Sequence, residues 1–178
     1  MSFRTIAKIA VITVSVSQAA SAQSGKDTNM QTKDHEFVHA SRQSPASPHT
    51  HARAEITVQS SEARPFDQTA SPALLEIRIS ETFTGDIDGE STVRALEVQR
   101  DDKSARLVSL QRVRGKLGGR QGSFVLQGSE TVEKGRIKAS WFVVPRSGTG
   151  ELTGLRGEGG FEGQFGKSSN GTLDYWFE

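Results

Sequence analysis

The stretch LLEIRISETFTGDIDGES, residues 74–91, decides the fold of this chain. Apolar and polar side chains alternate along it, which is the two-residue period of a half-buried β-strand. The apolar set is Leu75, Ile77, Ile79 and Phe83. Glu81 stands in the same alternating set, so its register predicts a carboxylate that points into the core rather than into water.

Similar alternation recurs along the chain at short intervals separated by turns. Further strands are predicted at 55–58, 93–100, 106–114, 122–127, 136–144 and 173–177. Counting the strand at 75–83, seven or eight short strands follow one another without a helical pattern. This spacing predicts an all-β fold, either an antiparallel sandwich or a barrel.

A glycine-rich stretch, PRSGTGELTGLRGEGG at 145–160, holds six glycines in sixteen residues. A dinucleotide-binding loop would need a third glycine where Thr153 stands, and a phosphate-binding loop would need a following Gly-Lys-Ser or Gly-Lys-Thr. Both flanking segments are strand-like, and glycine within a strand pattern marks bulges and bends. We therefore predict that this stretch bends the sheet.

The chain begins with a pattern typical of export. Arg4 and Lys8 precede an apolar run at 9–16, and small residues end at Ala22, which predicts a secretory signal peptide at 1–22. Residues 23–52 are polar and aperiodic and predict a disordered leader. The remaining residues, 53–178, are predicted to form one domain. We expect a bacterial periplasmic or extracellular protein with no membrane anchor in its mature form.

Composition excludes several kinds of chemistry. The chain has no cysteine, and all four histidines precede residue 53, in the predicted leader. The predicted domain therefore offers no thiol or imidazole for nucleophilic catalysis or metal binding. Loss of Arg4 and Lys8 with the signal peptide changes the formal net charge from +1 to −1, which does not suggest a nucleic-acid partner. No cofactor and no metal are expected.

Three motifs in order resemble one bacterial family, the domain of unknown function 3224. They are FTGDIDGES at 83–91, GKLGGRQGSFVLQ at 115–127 and VVPRSGTGELTGLRGEGG at 143–160. The resemblance covers about residues 53–178. It implies an eight-stranded antiparallel closed barrel of the allene oxide cyclase type, related to the dirigent proteins, with an inner cavity and often an oligomeric assembly. It implies no mechanism.

This chain departs from the family pattern at one position. Many relatives carry histidine directly after the GSFVLQ segment, whereas Gly128 stands there in this sequence. Any chemistry that depends on that histidine is therefore not expected here.

The first functional hypothesis is a barrel that binds a small apolar or amphipathic molecule. Eight-stranded barrels can enclose one small ligand, and their pockets combine an apolar lining with a few polar groups. The predicted ligand-binding residues are Ile77, Ile79, Phe83, Arg112, Phe124, Leu126 and Tyr175. The alternative is that such side chains simply fill the barrel.

The second hypothesis is a cofactor-free isomerase or cyclase. A carboxylate in a dry pocket can steady charge and exchange a proton, because burial raises its pKa toward neutrality. Glu81 is the predicted catalytic residue. If Arg112 or Arg114 turned inward, Glu81 would instead be half of a structural ion pair.

The third hypothesis is an oligomeric structural or interaction module that acts through its outer surface. Val125 and Phe142 would lie outward if Phe124 and Trp141 point inward, and Trp176 would lie opposite Tyr175. An apolar outer face of this kind marks subunit contacts. We expect a homo-oligomer in this case.

Overall fold

The computed structural model describes residues 48–100, 104–164 and 167–178. The predicted signal peptide and nearly all of the predicted leader lie outside these ranges. The described residues form nine β-strands and no helix: β1 Thr50–Asp67, β2 Ala73–Gly85, β3 Ile87–Gln99, β4 Ala105–Leu117, β5 Arg120–Glu133, β6 Arg136–Val143, β7 Thr149–Gly150, β8 Leu155–Gln164 and β9 Ser169–Phe177. Accordingly, no helix in the described ranges has the length and apolar character of a membrane span.

Eight of these strands close into an antiparallel barrel. The sheet runs β4-β3-β2-β1-β9-β8-β6-β5, and pairing of β4 with β5 joins its two ends. The two-residue strand β7 lies outside this ring and pairs with Gly122 and Ser123 of β5. Closure leaves an interior just wide enough for side chains or one small ligand. The prediction of an all-β antiparallel barrel is therefore confirmed.

The opening stretch, residues 74–91, contains most of one strand, a tight turn and the start of the next. β2 ends at Gly85, Asp86 forms the bend and β3 begins at Ile87. The backbone N–H of Asp86 donates to the carbonyl of Arg53, 2.8 Å away, which ties the turn to β1. This hydrogen bond therefore fixes the turn of the β2–β3 hairpin against β1.

The first strand is longer than the sequence indicated. β1 starts at Thr50, so residues 50–52, predicted as leader, belong to the barrel, and Ala52 is buried. β1 also continues to Asp67 rather than ending near Val58. Residues 58–67 are all exposed. This part of the strand therefore lacks the alternation of apolar and polar residues by which a strand is recognised in a sequence.

Inward side chains form two apolar groups. The larger, called the main core below, consists of Ala52, Ala54, Ile56, Phe83, Ile87, Val113, Leu117, Phe124, Leu126, Trp141, Val143, Leu152, Leu155, Leu173 and Tyr175. The smaller, called the upper cluster, consists of Ile77, Ala95, Ala105, Leu107 and Val132. Within the main core the indole N–H of Trp141 donates to the carbonyl of Thr172 at 3.1 Å, so its polar atom is satisfied.

The glycine-rich stretch forms bends, as predicted, and it also makes a close strand contact. It contains β7, a turn at 151–154 and the first part of β8. A Cβ atom on Gly159 would lie 2.1 Å from the carbonyl oxygen of Thr172 in β9. A Cβ atom on Gly160 would lie 2.1 Å from the carbonyl oxygen of Ala139 in β6. Glycine at these two positions lets β8 fit between its neighbours.

We predict that Gly160→Ala lowers the free energy of unfolding by about 2 kcal/mol, because the new methyl group meets backbone that must move. Glu158→Ala, an exposed change in the same strand, serves as the control and is expected to alter stability by less than about 0.5 kcal/mol. Chemical denaturation of both variants checks this. Equal stability of the Gly160 variant and the native chain would contradict the close contact.

Candidate functional site

A cavity of about 420 Å³ lies inside the barrel above the main core. It lies toward the end of the barrel at which β3 and β8 terminate, since Gln99 and Gln164 line it. Its apolar walls include Leu75, Ile77, Ile79, Leu107, Ile137 and Phe161. The volume falls in the range of pockets that hold small molecules. The cavity therefore divides the barrel interior into a packed half and an open half.

A group of polar side chains lies on the inner face of strands β2 to β5, at the level of the cavity. This polar belt consists of Glu81, Ser91, Ser109, Gln111 and Glu130. In its first part, Gln111 Nε2 donates to Glu81 Oε2 at 2.6 Å and to Ser91 Oγ at 2.8 Å. Ser91 Oγ donates to the same Glu81 oxygen at 3.3 Å. The inward position predicted for Glu81 is confirmed, and two donors hold its carboxylate in place.

The second part of the belt centres on Glu130. Ser109 Oγ donates to Glu130 Oε1 at 2.5 Å, and both residues are buried. Glu130 Oε2 is buried and has no hydrogen-bond partner in the described part of the chain. The carboxyl group lies beside Gly128, where a Cβ atom would come within 2.4 Å of Glu130 Oε1. The missing side chain at position 128 thus makes room for the Glu130 carboxyl group.

Burial raises the pKa of the carboxyl groups that line the cavity. Desolvation is the largest cause for Glu81 and raises its pKa to about 6, against the lowering effect of the Ser91 and Gln111 hydrogen bonds. The negative charge of Glu130 raises it further. Burial also raises the pKa of Glu130 and of Glu97, which lies nearer the barrel end. The site therefore contains three carboxyl groups whose buried surroundings disfavour the charged form.

The two arginines proposed as partners of Glu81 lie elsewhere. Arg112 and Arg114 are exposed, because the odd-numbered residues of β4 point inward and the even-numbered ones outward. Gln111 occupies the inward position and bonds Glu81 instead. The expectation was wrong because Val108 and Leu110 are apolar yet exposed, which made the outer face of β4 resemble an inner one.

The structure places the other predicted ligand residues in two locations. Ile77 and Ile79 line the cavity. The remaining members pack in the main core beneath it and do not line the cavity: Phe83, Phe124, Leu126 and Tyr175. Tyr175 meets Phe177 edge-on, with ring centroids 6.0 Å apart. Direct ligand contact by these residues, and catalysis by Glu81, stay predictions.

Sequence reasoning missed most of the polar belt. It ended the fifth strand at Gln127, whereas β5 continues to Glu133 and carries Glu130 on its inner face. The inward alternation of Phe124 and Leu126, extended past Gly128, leads directly to Glu130. Gln111 and Ser109 were missed because Arg112, which belongs to the opposite alternating set of β4, was predicted to bind the ligand.

Two histidines of the predicted leader belong to the outer surface of the barrel. His51 lies in β1, and its Nδ1 is 2.6 Å from Oδ1 of Asp174. His49 stacks on Trp176, with ring centroids 4.3 Å apart. Within the described ranges, no group of three or more acidic or histidine side chains is arranged to hold a metal ion.

The outer wall also carries exposed apolar side chains on the adjacent strands β3 and β4 and on β6, which β5 separates from β4. They are Leu96, Val98, Val108, Leu110 and Phe142. Leu96 lies opposite Val108 in the β3–β4 ladder, so these side chains adjoin. Phe142 is 42% exposed, as the outward assignment predicted. A homo-oligomer stays a prediction.

Fold and site together define a closed eight-stranded antiparallel barrel with a half-open interior and a buried polar belt. Residues 52–178 match the family described as "Protein of unknown function (DUF3224)", and the chain belongs to that family. A crystal structure of a protein of unknown function from this family, from Shewanella oneidensis MR-1, is 31% identical with a TM-score of 0.60. The match covers 74% of this chain and 98% of that one. A comparison with curated proteins found no match.

We predict that Glu81→Gln is more stable than the native chain at about pH 8 by about 1–2 kcal/mol, since it removes a buried charge and keeps an acceptor for Ser91 and Gln111. The pKa of Glu81 rises from its ordinary value of 4.5 to about 6 in the folded chain. The folded chain therefore holds the Glu81 proton more tightly than the unfolded chain. Raising the pH through that window therefore lowers the stability of the native chain relative to the variant.

Urea denaturation at a series of pH values measures this difference. The advantage of Glu81→Gln is expected to be largest above about pH 6, to shrink as the pH falls from about 6 to 4.5, and to change no further below that; Glu90→Gln, on the outer face of β3, is the exposed control. An advantage that grew on acidification would refute the assigned direction of the pKa shift.

Proposed function

We propose that this barrel binds one small amphipathic molecule in the cavity above the main core. The observation that carries the proposal is the combination of a 420 Å³ space, mostly apolar walls and a few polar groups aimed into it. Ligand sites of soluble proteins have this composition, because apolar walls supply binding energy and polar groups fix orientation. A barrel of the allene oxide cyclase type, which the sequence motifs imply, would have an inner cavity and would favour the same function.

The distribution of polar residues supports ligand binding over a filled barrel. The main core already packs one half of the interior with apolar side chains. In the other half, Glu81, Glu97 and Glu130 line the cavity, although a buried carboxylate without full hydrogen bonding destabilises a fold. Proteins tend to break packing rules of this kind at functional sites.

The proposed route of entry is the barrel end at which the cavity meets the strand termini. Gln99, Gln164 and Lys167 line the cavity there and make this end polar. A molecule with an apolar body could pass between them and reach Ile77 and Ile79 deeper in the wall. In the proposed setting, export by the N-terminal signal brings the barrel to extracytoplasmic solutes.

We predict that Ala95→Phe, which places a ring in the cavity, abolishes binding of the apolar dye N-phenyl-1-naphthylamine. Ala95 is buried and lines the cavity, whereas the adjacent Leu96 is 48% exposed on the outer wall. Leu96→Phe is therefore the matched control and is expected to bind the dye like the native chain. Fluorescence titration, with folding checked by circular dichroism, measures both.

Two results would contradict the proposal. One is native-like dye binding in a folded Ala95→Phe variant, which would place the dye outside the cavity. The other is a change confined to Leu96→Phe, which would locate dye binding on the exposed apolar side chains of the outer wall.

A further inference from the structure

We infer that the molecule held in this cavity is a cationic amphiphile. Its protonated amine binds between Glu130 and Glu81, and its apolar chain lies along the cavity wall that Leu75, Ile77 and Ile137 form. The inference rests on the proposed function and specifies the chemical class of the ligand. It is carried by the unpartnered oxygen of Glu130 and by the balance of charge around the cavity.

Glu130 presents an acceptor that no described residue fills. Its side chain lines the cavity and the residue is only 7% exposed, yet Oε2 has no hydrogen-bond donor in the described part of the chain. Ser109 donates its hydroxyl proton to the other oxygen, Oε1. An ammonium group carries three donors and no acceptor, so it satisfies such an oxygen without leaving a lone pair unmet. A hydrogen bond to a charged group is also stronger than one between neutral groups.

The other two donors of the belt, Gln111 and Ser91, are both committed to Glu81. The side-chain amide of Gln111 donates to Glu81 and to Ser91. It therefore holds the Glu81 carboxylate in a fixed position rather than reaching Glu130. A ligand donor placed between the two carboxyl groups would complete the belt.

The cavity carries an excess of acidic groups. Among the described residues that line it, the carboxyl groups of Glu81, Glu97 and Glu130 face a single cation, Lys167. Burial raises the pKa of all three carboxyl groups, and Glu130 is itself a cause of the shift at Glu81. Those two groups therefore lie close enough to repel each other when charged. A bound cation relieves that repulsion, whereas an anionic ligand would add to it.

The arrangement of the wall sets the orientation of the ligand. Glu130 lies opposite Leu107 of β4 and Ala139 of β6 in the ladders. Between the belt and the polar residues at the open end, the lining includes the apolar side chains of Leu75, Ile77 and Ile137. The amine therefore lies deep, at the belt, and the hydrocarbon chain extends toward the barrel end. This orientation suits an alkylamine and disfavours a fatty acid.

The test compares three probes with the same eight-carbon chain: octylamine, octanol and octanoate. Calorimetric titration at about pH 8 keeps octylamine protonated, because an alkylamine has a pKa near 10.4. We expect octylamine to bind at least about tenfold more tightly than octanol, and octanoate to bind more weakly than either.

Two isosteric variants and one control locate the preference. Glu130→Gln and Glu81→Gln should each reduce the preference for octylamine over octanol by at least about fivefold and leave octanol affinity near its native value. Glu90→Gln, an acidic change on the exposed face of β3, should keep the full preference. Circular dichroism shows whether each variant is folded, and either belt variant alone suffices for the test.

The outcomes separate this inference from the proposed function. If octanol or octanoate binds as tightly as octylamine, the inference of a cationic ligand is overturned, while the proposed binding of a small molecule in the cavity is retained. If the amine preference survives in both belt variants, the cation is held elsewhere and the inference is again overturned. If none of the three probes binds, binding in the cavity itself fails as well.

Discussion

The pairing of β4 with β5 closes the sheet on itself, and the rest of the structure follows from that closure. A ring of eight strands fixes the interior diameter, so the interior is filled only where several large side chains meet. Phe83, Phe124 and Trp141 meet in this way in the main core. Where the wall instead carries Ala95, Ser109 and other small residues, the same diameter leaves a cavity.

The two halves of the barrel interior make different contributions. The main core removes large apolar side chains from water, which is the dominant favourable contribution to folding. The polar belt opposes folding, because desolvation raises the pKa of Glu81 and Glu130 and leaves Glu130 Oε2 without a donor. A ligand that supplies the missing donor stabilises the folded chain by mass action. Under the proposed function, stability and binding therefore depend on opposite halves of one barrel.

Strand periodicity was enough to predict an all-β fold, sandwich or barrel, and the inward direction of Glu81, because a half-buried strand must alternate. The closed barrel was implied only by the family resemblance. Periodicity could not predict the length of β1, whose second half is exposed on both faces. It also did not show which face of β4 points inward, because exposed Val108 and Leu110 resemble a core-facing set. The partners of Glu81 and the carboxyl group of Glu130 depend on pairing across strands, which a single sequence does not specify.

The most direct test of the central claim is a methyl NMR titration of the isoleucine-labelled barrel with octylamine. Ile77, Ile79 and Ile137 line the cavity, whereas Ile87 is fully buried in the main core and does not line it. A site in the cavity predicts saturable shifts of the first three methyl groups, with Ile87 much less affected. Saturable binding that leaves those three methyl signals unchanged would contradict a ligand site inside the barrel.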